Sequence, residues 1–148
     1  MAFWDTSALI KLYVRERDSG HFHHLIQALP EKTAISELTL AEMHRALWAK
    51  ELARAVPANF AQKAYREFRA DVEAAVLAVL PFGRAVQEEF DRIIPICYQA
   101  GPPVPIRTLD GLLLASAVTA KAVQLVSTDS RMRAAGTLLG LYVLPESS

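Results

Sequence analysis

Five short apolar runs recur along the chain, separated by segments with helical patterns. Short strands that alternate with helices are typical of a parallel sheet covered by helices on both faces. The sequence therefore predicts an α/β protein with a central parallel five-stranded sheet. The predicted strands are AFW at 2–4, KTAIS at 32–36, LAVLPF at 77–82, VQLVS at 123–127 and LYVLP at 141–145.

The segments between these runs are predicted to be helical. The first helix is expected to begin at Ala8, with Thr6 and Ser7 as candidate caps, and to continue after the break at RERDSG as far as Pro30. A kink or stop is expected near Pro95, because proline interrupts helical hydrogen bonding. The remaining predicted helices cover 38–55, 59–76, 84–101, 108–122 and 131–140. We find no repeat or linker, so residues 1–148 are predicted to form a single domain.

Composition restricts the class of protein and its setting. The formal net charge is zero, so any contact with nucleic acid must come from a local patch of basic residues. The only cysteine, Cys97, lies in the apolar run IIPICY and is expected to be a buried, inert thiol. The N-terminus lacks the features of a signal peptide, and no apolar run approaches the roughly 20 residues that span a bilayer. A cytoplasmic protein without membrane contact is expected.

Two acidic residues follow predicted strands directly. Asp5 comes after the apolar run that ends at Trp4, and Asp129 follows the run that ends at Ser127. Ligand sites in open parallel sheets lie beyond the carboxyl ends of the strands. If the first and fourth strands are neighbours, both carboxylates should face one cleft.

Two further acids lie near predicted helix starts. Glu42 is the only charged residue in a row of otherwise apolar helical neighbours, and Asp110 heads the apolar face of its helix. All four acids also have structural interpretations. Asp5 and Asp129 could cap the helices that follow, although Ser130 could cap the second of these alone. Glu42 fits a capping box with Thr39, and Asp110 would be stabilised by the helix dipole.

As a set, these acids indicate a metal site. Several carboxylates in one cleft repel one another and take up protons unless a cation neutralises them. Oxygen ligands without histidine or cysteine suit Mg²⁺ or Mn²⁺, and such ions assist the hydrolysis of phosphodiesters. The candidate ligands are Asp5, Glu42, Asp110 and Asp129.

Four segments that contain these acids resemble, in order and spacing, the four motifs of the PIN-domain family. They are FWDTSALIKLY, ISELTLAEMHRAL, RTLDGLLLASAV and LVSTDSRMRAAG. The likeness extends from near residue 2 to near residue 144 and is greatest to the VapC-type toxins of toxin–antitoxin pairs. The resemblance implies a three-layer PIN-like fold and an endoribonuclease dependent on Mg²⁺ or Mn²⁺.

The resemblance also implies roles for individual residues and partners. Asp5, Glu42, Asp110 and Asp129 match the four family acids, with Asp5 and Asp110 as the surest metal ligands. Ser7 matches a small polar residue that supports the first acid, and Ser127 stands where the family usually has threonine. The protein would act on RNA as a homodimer and be silenced by a cognate antitoxin.

Basic residues near the motifs are candidates for holding RNA phosphates. For each one alone, a solvated surface charge is the alternative interpretation. The candidates are Lys11, Arg15, Arg45, Arg107 and Arg131.

Three alternative functions can be compared with the same sequence features. A phosphoaspartyl phosphatase of the haloacid-dehalogenase kind would have a second acid where this chain has Ser7. A phospho-accepting receiver domain would need a lysine at a late strand end, whereas Lys121 lies in a predicted helix. A catalytically inactive PIN-like domain could serve as a protein- or RNA-binding module, although the presence of all four acids argues against decay.

Overall fold

The five predicted strands form one sheet in the computed structural model, which describes residues 1–146. All neighbouring strands are parallel, and their order is β3-β2-β1-β4-β5. The sheet confirms the predicted α/β architecture and places β1 beside β4. The strands are β1 (Ala2–Trp4), β2 (Thr33–Ser36), β3 (Ala78–Leu80), β4 (Gln124–Val126) and β5 (Tyr142–Leu144).

Within residues 1–146, seven α-helices connect or follow the strands. They are α1 (Thr6–Leu9), α2 (Ser19–Ala28), α3 (Glu37–Leu52), α4 (Phe60–Glu73), α5 (Arg84–Tyr98), α6 (Thr108–Thr119) and α7 (Ser130–Leu138). A 3₁₀ turn at Ile10–Leu12 extends α1. Of the kink or stop expected near Pro95, the stop is wrong, since α5 continues to Tyr98. Lys121 lies beyond the end of α6 and before β4, so it is not at the carboxyl end of a strand.

Side chains of the strands alternate between two hydrophobic cores. Trp4 packs with α2, α3 and α4 on one face, whereas Phe3 packs with α5, α6 and α7 on the other. Both side chains are fully buried, and the burial of such a side chain stabilises the fold by about 2–3 kcal/mol. The protein therefore has three layers, with the sheet in the middle.

Three helices begin at polar side chains that lie at or just after the ends of strands. Asp5 caps α1, Ser36 caps α3 and Asp129 caps α7, each by accepting a hydrogen bond from a backbone amide. Thr6 and Ser7 lie inside α1 and are not its cap. Asp129, rather than Ser130, caps α7, because its side chain reaches the amide of Met132.

The predicted capping box at Thr39 and Glu42 does not form. The cap of α3 is Ser36, whose hydroxyl accepts from the amide of Leu38, so Thr39 lies inside the helix. Thr39 is fully buried, and Glu42 is directed to a different partner. The capping interpretation of Glu42 is therefore wrong.

Helix α7 lies unusually close to β4 because Gly136 has no side chain. A Cβ atom at this position would lie 2.5 Å from Cδ2 of Leu125. A side chain at this position would therefore require Leu125 or α7 to shift. Within residues 1–146, no helix is long and apolar enough to span a membrane.

Candidate active site

Asp5 is the most buried acid of the four, with 4% of its surface exposed. It directly follows β1, the central strand, and its carboxylate accepts three hydrogen bonds. Ser7 Oγ donates to Oδ1 at 2.6 Å, Ser127 Oγ donates to Oδ2 at 2.6 Å, and the amide of Ala8 donates to Oδ1 at 3.2 Å. These bonds fix the orientation of the carboxylate.

Burial raises the pKa of Asp5 from 3.8 to about 6. The hydrogen bonds from Ser127, Ser7 and Ala8 lower this pKa, and the negative charge of Asp129 raises it further. Desolvation outweighs the hydrogen bonds, and no positive charge among residues 1–146 compensates for the lost hydration of the carboxylate. Asp5 is therefore a carboxylate in an environment suited to a cation.

The two serines join the ends of β1 and β4. Ser127 is fully buried, and its hydroxyl also accepts from the amide of Asp129 at 3.1 Å. Ser7 Oγ accepts from the amide of Thr128 at 3.0 Å. The loop between β4 and α7 is thus tied to Asp5 through both hydroxyls that sequence analysis selected.

Glu42 lies on the first half of α3 and contacts α1. Its Oε1 accepts a hydrogen bond of 2.6 Å from the hydroxyl of Thr6. Burial raises the pKa of Glu42, the Thr6 hydrogen bond lowers it and the charge of Asp110 raises it. Sequence analysis considered Thr6 only as a cap and missed this contact, although its place directly after Asp5 could have drawn attention to it.

Asp110 and Asp129 occupy the first turn of α6 and the start of α7. Burial raises the pKa of Asp110, and the nearby charge of Asp129 raises it further. Arg107 and Arg131 lower the same pKa. Asp129 is exposed and bonds the amide of Met132 at 2.8 Å.

The negative charge of one acid raises the pKa of another, which shows that the four acids lie near one another in a chain of pairs. The charge of Asp129 affects both Asp5 and Asp110, and the charge of Asp110 affects Glu42. Across residues 1–146, none of the four forms a salt bridge. In the same part of the chain, no three acidic, histidine or cysteine side chains are already arranged to hold a metal ion. The acids are thus electrostatically coupled without forming a closed coordination shell.

The donor chemistry nevertheless fits a hard divalent cation. Four carboxylates without nitrogen or sulfur donors suit Mg²⁺ or Mn²⁺. The pKa of Asp5 is raised chiefly by burial and to a smaller extent by the charge of Asp129, and a bound cation would counteract both effects. Asp5 and Asp110 are the best candidates for direct ligands, with Glu42 and Asp129 beside them.

The basic candidates divide into two groups. Arg45 lowers the pKa of Glu42, and Arg107 and Arg131 lower that of Asp110, so these three lie beside the acids. Lys11 is instead held by Glu16 and Asp18, each at 2.9 Å. The remaining candidate, Arg15, is exposed. Cys97 is fully buried, as predicted.

The sequence of residues 2–138 matches the PIN domain. The chain belongs to the PIN-domain family. PIN domains are nucleases as a family, and the match spans nearly all of this chain. None of the curated proteins matches the sequence.

Solved structures with the same fold include toxins and toxin–antitoxin complexes. VapC20 of Mycobacterium tuberculosis, a toxin that cleaves the sarcin–ricin loop, superposes with a TM-score of 0.67 at 18% identity, covering 92% of this chain and 95% of that one. FitAcB of Neisseria gonorrhoeae gives 0.69 at 18% identity, with coverages of 98% and 97%. VapBC2 of Rickettsia felis, bound to a DNA fragment from its promoter, gives 0.64 at 16% identity and covers 96% of both chains.

Proposed function

We propose that this PIN domain is a Mg²⁺- or Mn²⁺-dependent endoribonuclease that acts as the toxin of a toxin–antitoxin pair. The observation that carries the proposal is buried Asp5, which is held by two serines and lies near Asp129; Asp129 in turn acts on Asp110, and Asp110 on Glu42. Within residues 1–146, no lysine or arginine pairs with any of these carboxylates. A cation is the missing charge that would stabilise the ionised cluster.

The residues of the chain have distinct roles in this proposal. Asp5 and Asp110 would hold the cation, and Glu42 and Asp129 would complete the cluster directly or through water. When bound, the cation stabilises negative charge on the scissile phosphate and makes water a better nucleophile. Ser7 and Ser127 keep the Asp5 carboxylate in one orientation by hydrogen bonding, which reduces the reorganisation needed for binding.

Three arginines beside the acids would hold the RNA backbone. Arg45, Arg107 and Arg131 are exposed, and their charges act on Glu42 and Asp110. Phosphate contacts of this kind position a nucleic acid without reading its sequence. Lys11 is a weaker candidate because its ammonium group is already paired with two carboxylates.

A protein partner is the second part of the proposal. Among the solved structures of this fold are a toxin–antitoxin complex from Klebsiella pneumoniae and VapBC2 bound to promoter DNA. On α3, Trp48 and Leu52 are 47% and 88% exposed and line one surface depression. Exposed apolar side chains in a patch favour contact with another protein. We infer that the chain forms a homodimer and is inhibited by a cognate antitoxin.

The nuclease proposal is tested with purified protein and single-stranded RNA, in Mg²⁺ or Mn²⁺ and in EDTA. Wild-type protein should cleave RNA only with the metal, and Asp5→Asn and Asp110→Asn should reduce the rate by at least about 100-fold. Asp91→Asn is the matched control, since Asp91 is exposed on α5 and accepts a bond from Gln87. Metal-independent cleavage, or equal rates for all variants, would contradict the proposal. Wild-type protein that binds RNA without cutting it would favour an inactive binding module.

The partner proposal has its own tests. Light scattering should give a mass of about twice 16.3 kDa for the protein alone. Expression of the wild-type chain should arrest the growth of a bacterial host, and Asp5→Asn should relieve the arrest. A monomeric mass would contradict the homodimer, and unimpeded growth would contradict the toxin role.

A further inference from the structure

Arg133 is the fourth residue of α7, and among residues 1–146 its side chain bonds only backbone carbonyl groups. Nη1 donates to the carbonyl of Ser127 at 2.8 Å and to that of Leu144 at 3.1 Å, and Nη2 donates to the carbonyl of Pro145 at 2.6 Å. No salt bridge involves Arg133 in the described part of the chain. Its guanidinium is therefore used to hold the backbone in place.

These carbonyls belong to the ends of two parallel strands. Ser127 follows β4, Leu144 ends β5, and the amide of Ser127 donates to the carbonyl of Leu144 at 3.0 Å. Arg133 thus connects the ends of β4 and β5 just beyond their last backbone hydrogen bond. The planar fork of arginine suits several acceptors at fixed angles, whereas a lysine provides only a single point of donation.

The residue held most directly is Ser127, which contacts two of the candidate acids. Its hydroxyl donates to Asp5 Oδ2 at 2.6 Å and accepts from the amide of Asp129 at 3.1 Å. Ser127 thus links the guanidinium of Arg133 to both carboxylate residues. A shift of its backbone would move its hydroxyl away from Asp5 and release the start of α7.

We propose that Arg133 is a positioning residue that fixes the β4–α7 loop, and through it the places of Ser127, Asp129 and Asp5. The role is to set geometry, since Arg133 bonds neither a carboxylate of the site nor, by this proposal, the RNA. The expected effect of Arg133 on metal binding rests on the proposed function. The expected effect of Arg133 on the β4–α7 loop is independent of that function.

The loop is tested first in metal-free protein by hydrogen exchange of the amides of Thr128 and Asp129. These amides bond Ser7 Oγ and Ser127 Oγ, so they report whether the loop is closed. Arg133→Met should accelerate their exchange by at least about tenfold, and Arg133→Lys should lie between Arg133→Met and wild type. The control is Leu141→Ala, which removes a buried side chain at the opposite end of β5. It should lower global stability without opening this loop selectively.

Manganese affinity is measured on the same variants by titration. Arg133→Met should weaken Mn²⁺ binding by about tenfold, as is typical when a residue outside the ligand shell is lost, and Leu141→Ala should stay within about twofold of wild type. Unchanged exchange at Thr128 and Asp129 in Arg133→Met, or equal effects in Leu141→Ala, would overturn the positioning role. If wild-type protein does not bind Mn²⁺, the proposed metal-dependent function is overturned. The hydrogen-exchange result alone then tests whether Arg133 positions the loop.

Discussion

Ser127 donates a 2.6 Å hydrogen bond to Asp5 across a separation of 122 residues in the chain. The bond is possible because β1 and β4 are neighbours in the sheet, with Trp4 opposite Val126. Each strand therefore ends beside the other, and the residue after each becomes part of one site. The parallel sheet is what converts two distant motifs into a single polar cluster.

The first prediction concerns the pH dependence of stability without metal. The pKa of Asp5 is about 6 in the folded protein and near 3.8 when unfolded, so the folded state binds the proton more tightly. The stability that this proton provides is full below the unfolded pKa and is lost as the pH rises through the folded pKa. Between pH 5 and pH 7.5, the loss attributable to Asp5 should be about 1.5 kcal/mol.

Chemical denaturation in EDTA measures this effect. Asp5→Asn cannot ionise, so its free energy of unfolding should fall less over this pH range than that of wild type. At pH 7.5, the variant should be the more stable of the two. Parallel pH profiles for the two proteins would contradict a raised pKa at Asp5.

The second prediction concerns two threonines that face different environments. Thr6 donates to Glu42, so Thr6→Val should raise the pKa of Glu42 further and weaken Mn²⁺ binding by about threefold to tenfold. Within residues 1–146, the hydroxyl of Thr39 is buried without a partner. Thr39→Val should therefore stabilise the fold by roughly 1 kcal/mol and leave Mn²⁺ affinity unchanged. Similar affinities for both variants would show that the Thr6 contact does not matter.

The third prediction concerns the arginines beside the acids. Arg45→Ala and Arg131→Ala should each raise the KM for RNA and reduce the salt dependence of binding by about one ion per substitution. Arg92→Ala is the control, because Arg92 is an exposed arginine paired with Glu89 on α5. Loss of Arg131 should also raise the pKa of Asp110, since its charge lowers that pKa. An unchanged salt dependence would show that these arginines do not contact RNA phosphates and act only on the pKa values of the neighbouring acids.

The fourth prediction concerns the close packing of α7 on the sheet. Gly136→Ala would place a Cβ 2.5 Å from Leu125 Cδ2 and 3.2 Å from Val143 Cγ2. The variant should lose about 1–3 kcal/mol of stability through overpacking. Gly20→Ala, in an exposed part of α2 with no atom near the new Cβ, should instead gain about 0.5–1 kcal/mol. Thermal denaturation separates the two, and an unaffected Gly136→Ala would show that α7 can move away from β4.

The strands, and the positions of Asp5 and Asp129 after the first and fourth of them, could be predicted from the sequence because both depend on short-range patterns; that these two strands are neighbours became known only from the sheet order. Alternation of apolar runs and helices led to the parallel sheet, and acids after β1 and β4 indicated its carboxyl edge. The capping of α3 was predicted wrongly, because Thr39 and Glu42 satisfy a local motif while tertiary contacts assign them elsewhere. At Pro95, where a kink or stop was expected, the helix does not stop, because α5 extends to Tyr98.

Other features depend on contacts that no local pattern encodes. No local sequence pattern distinguishes Arg133 from an ordinary surface arginine. In the fold, however, it bonds three carbonyls that come from two different strand ends. Thr6 acquires its role from Glu42, which lies 36 residues away. The arrangement of the acids is also a property of the fold, and in the described residues they do not yet form a closed shell.

A crystal structure with Mn²⁺, located by anomalous scattering, tests the central claim most directly. We predict one strong peak bonded to carboxylate oxygens of Asp5 and Asp110, with Glu42 and Asp129 bonded to it directly or through water. The peak should vanish from crystals of Asp5→Asn protein. A fully loaded crystal with no peak between these residues, or a peak that persists in Asp5→Asn, would contradict the claim that the four acids share a metal ion.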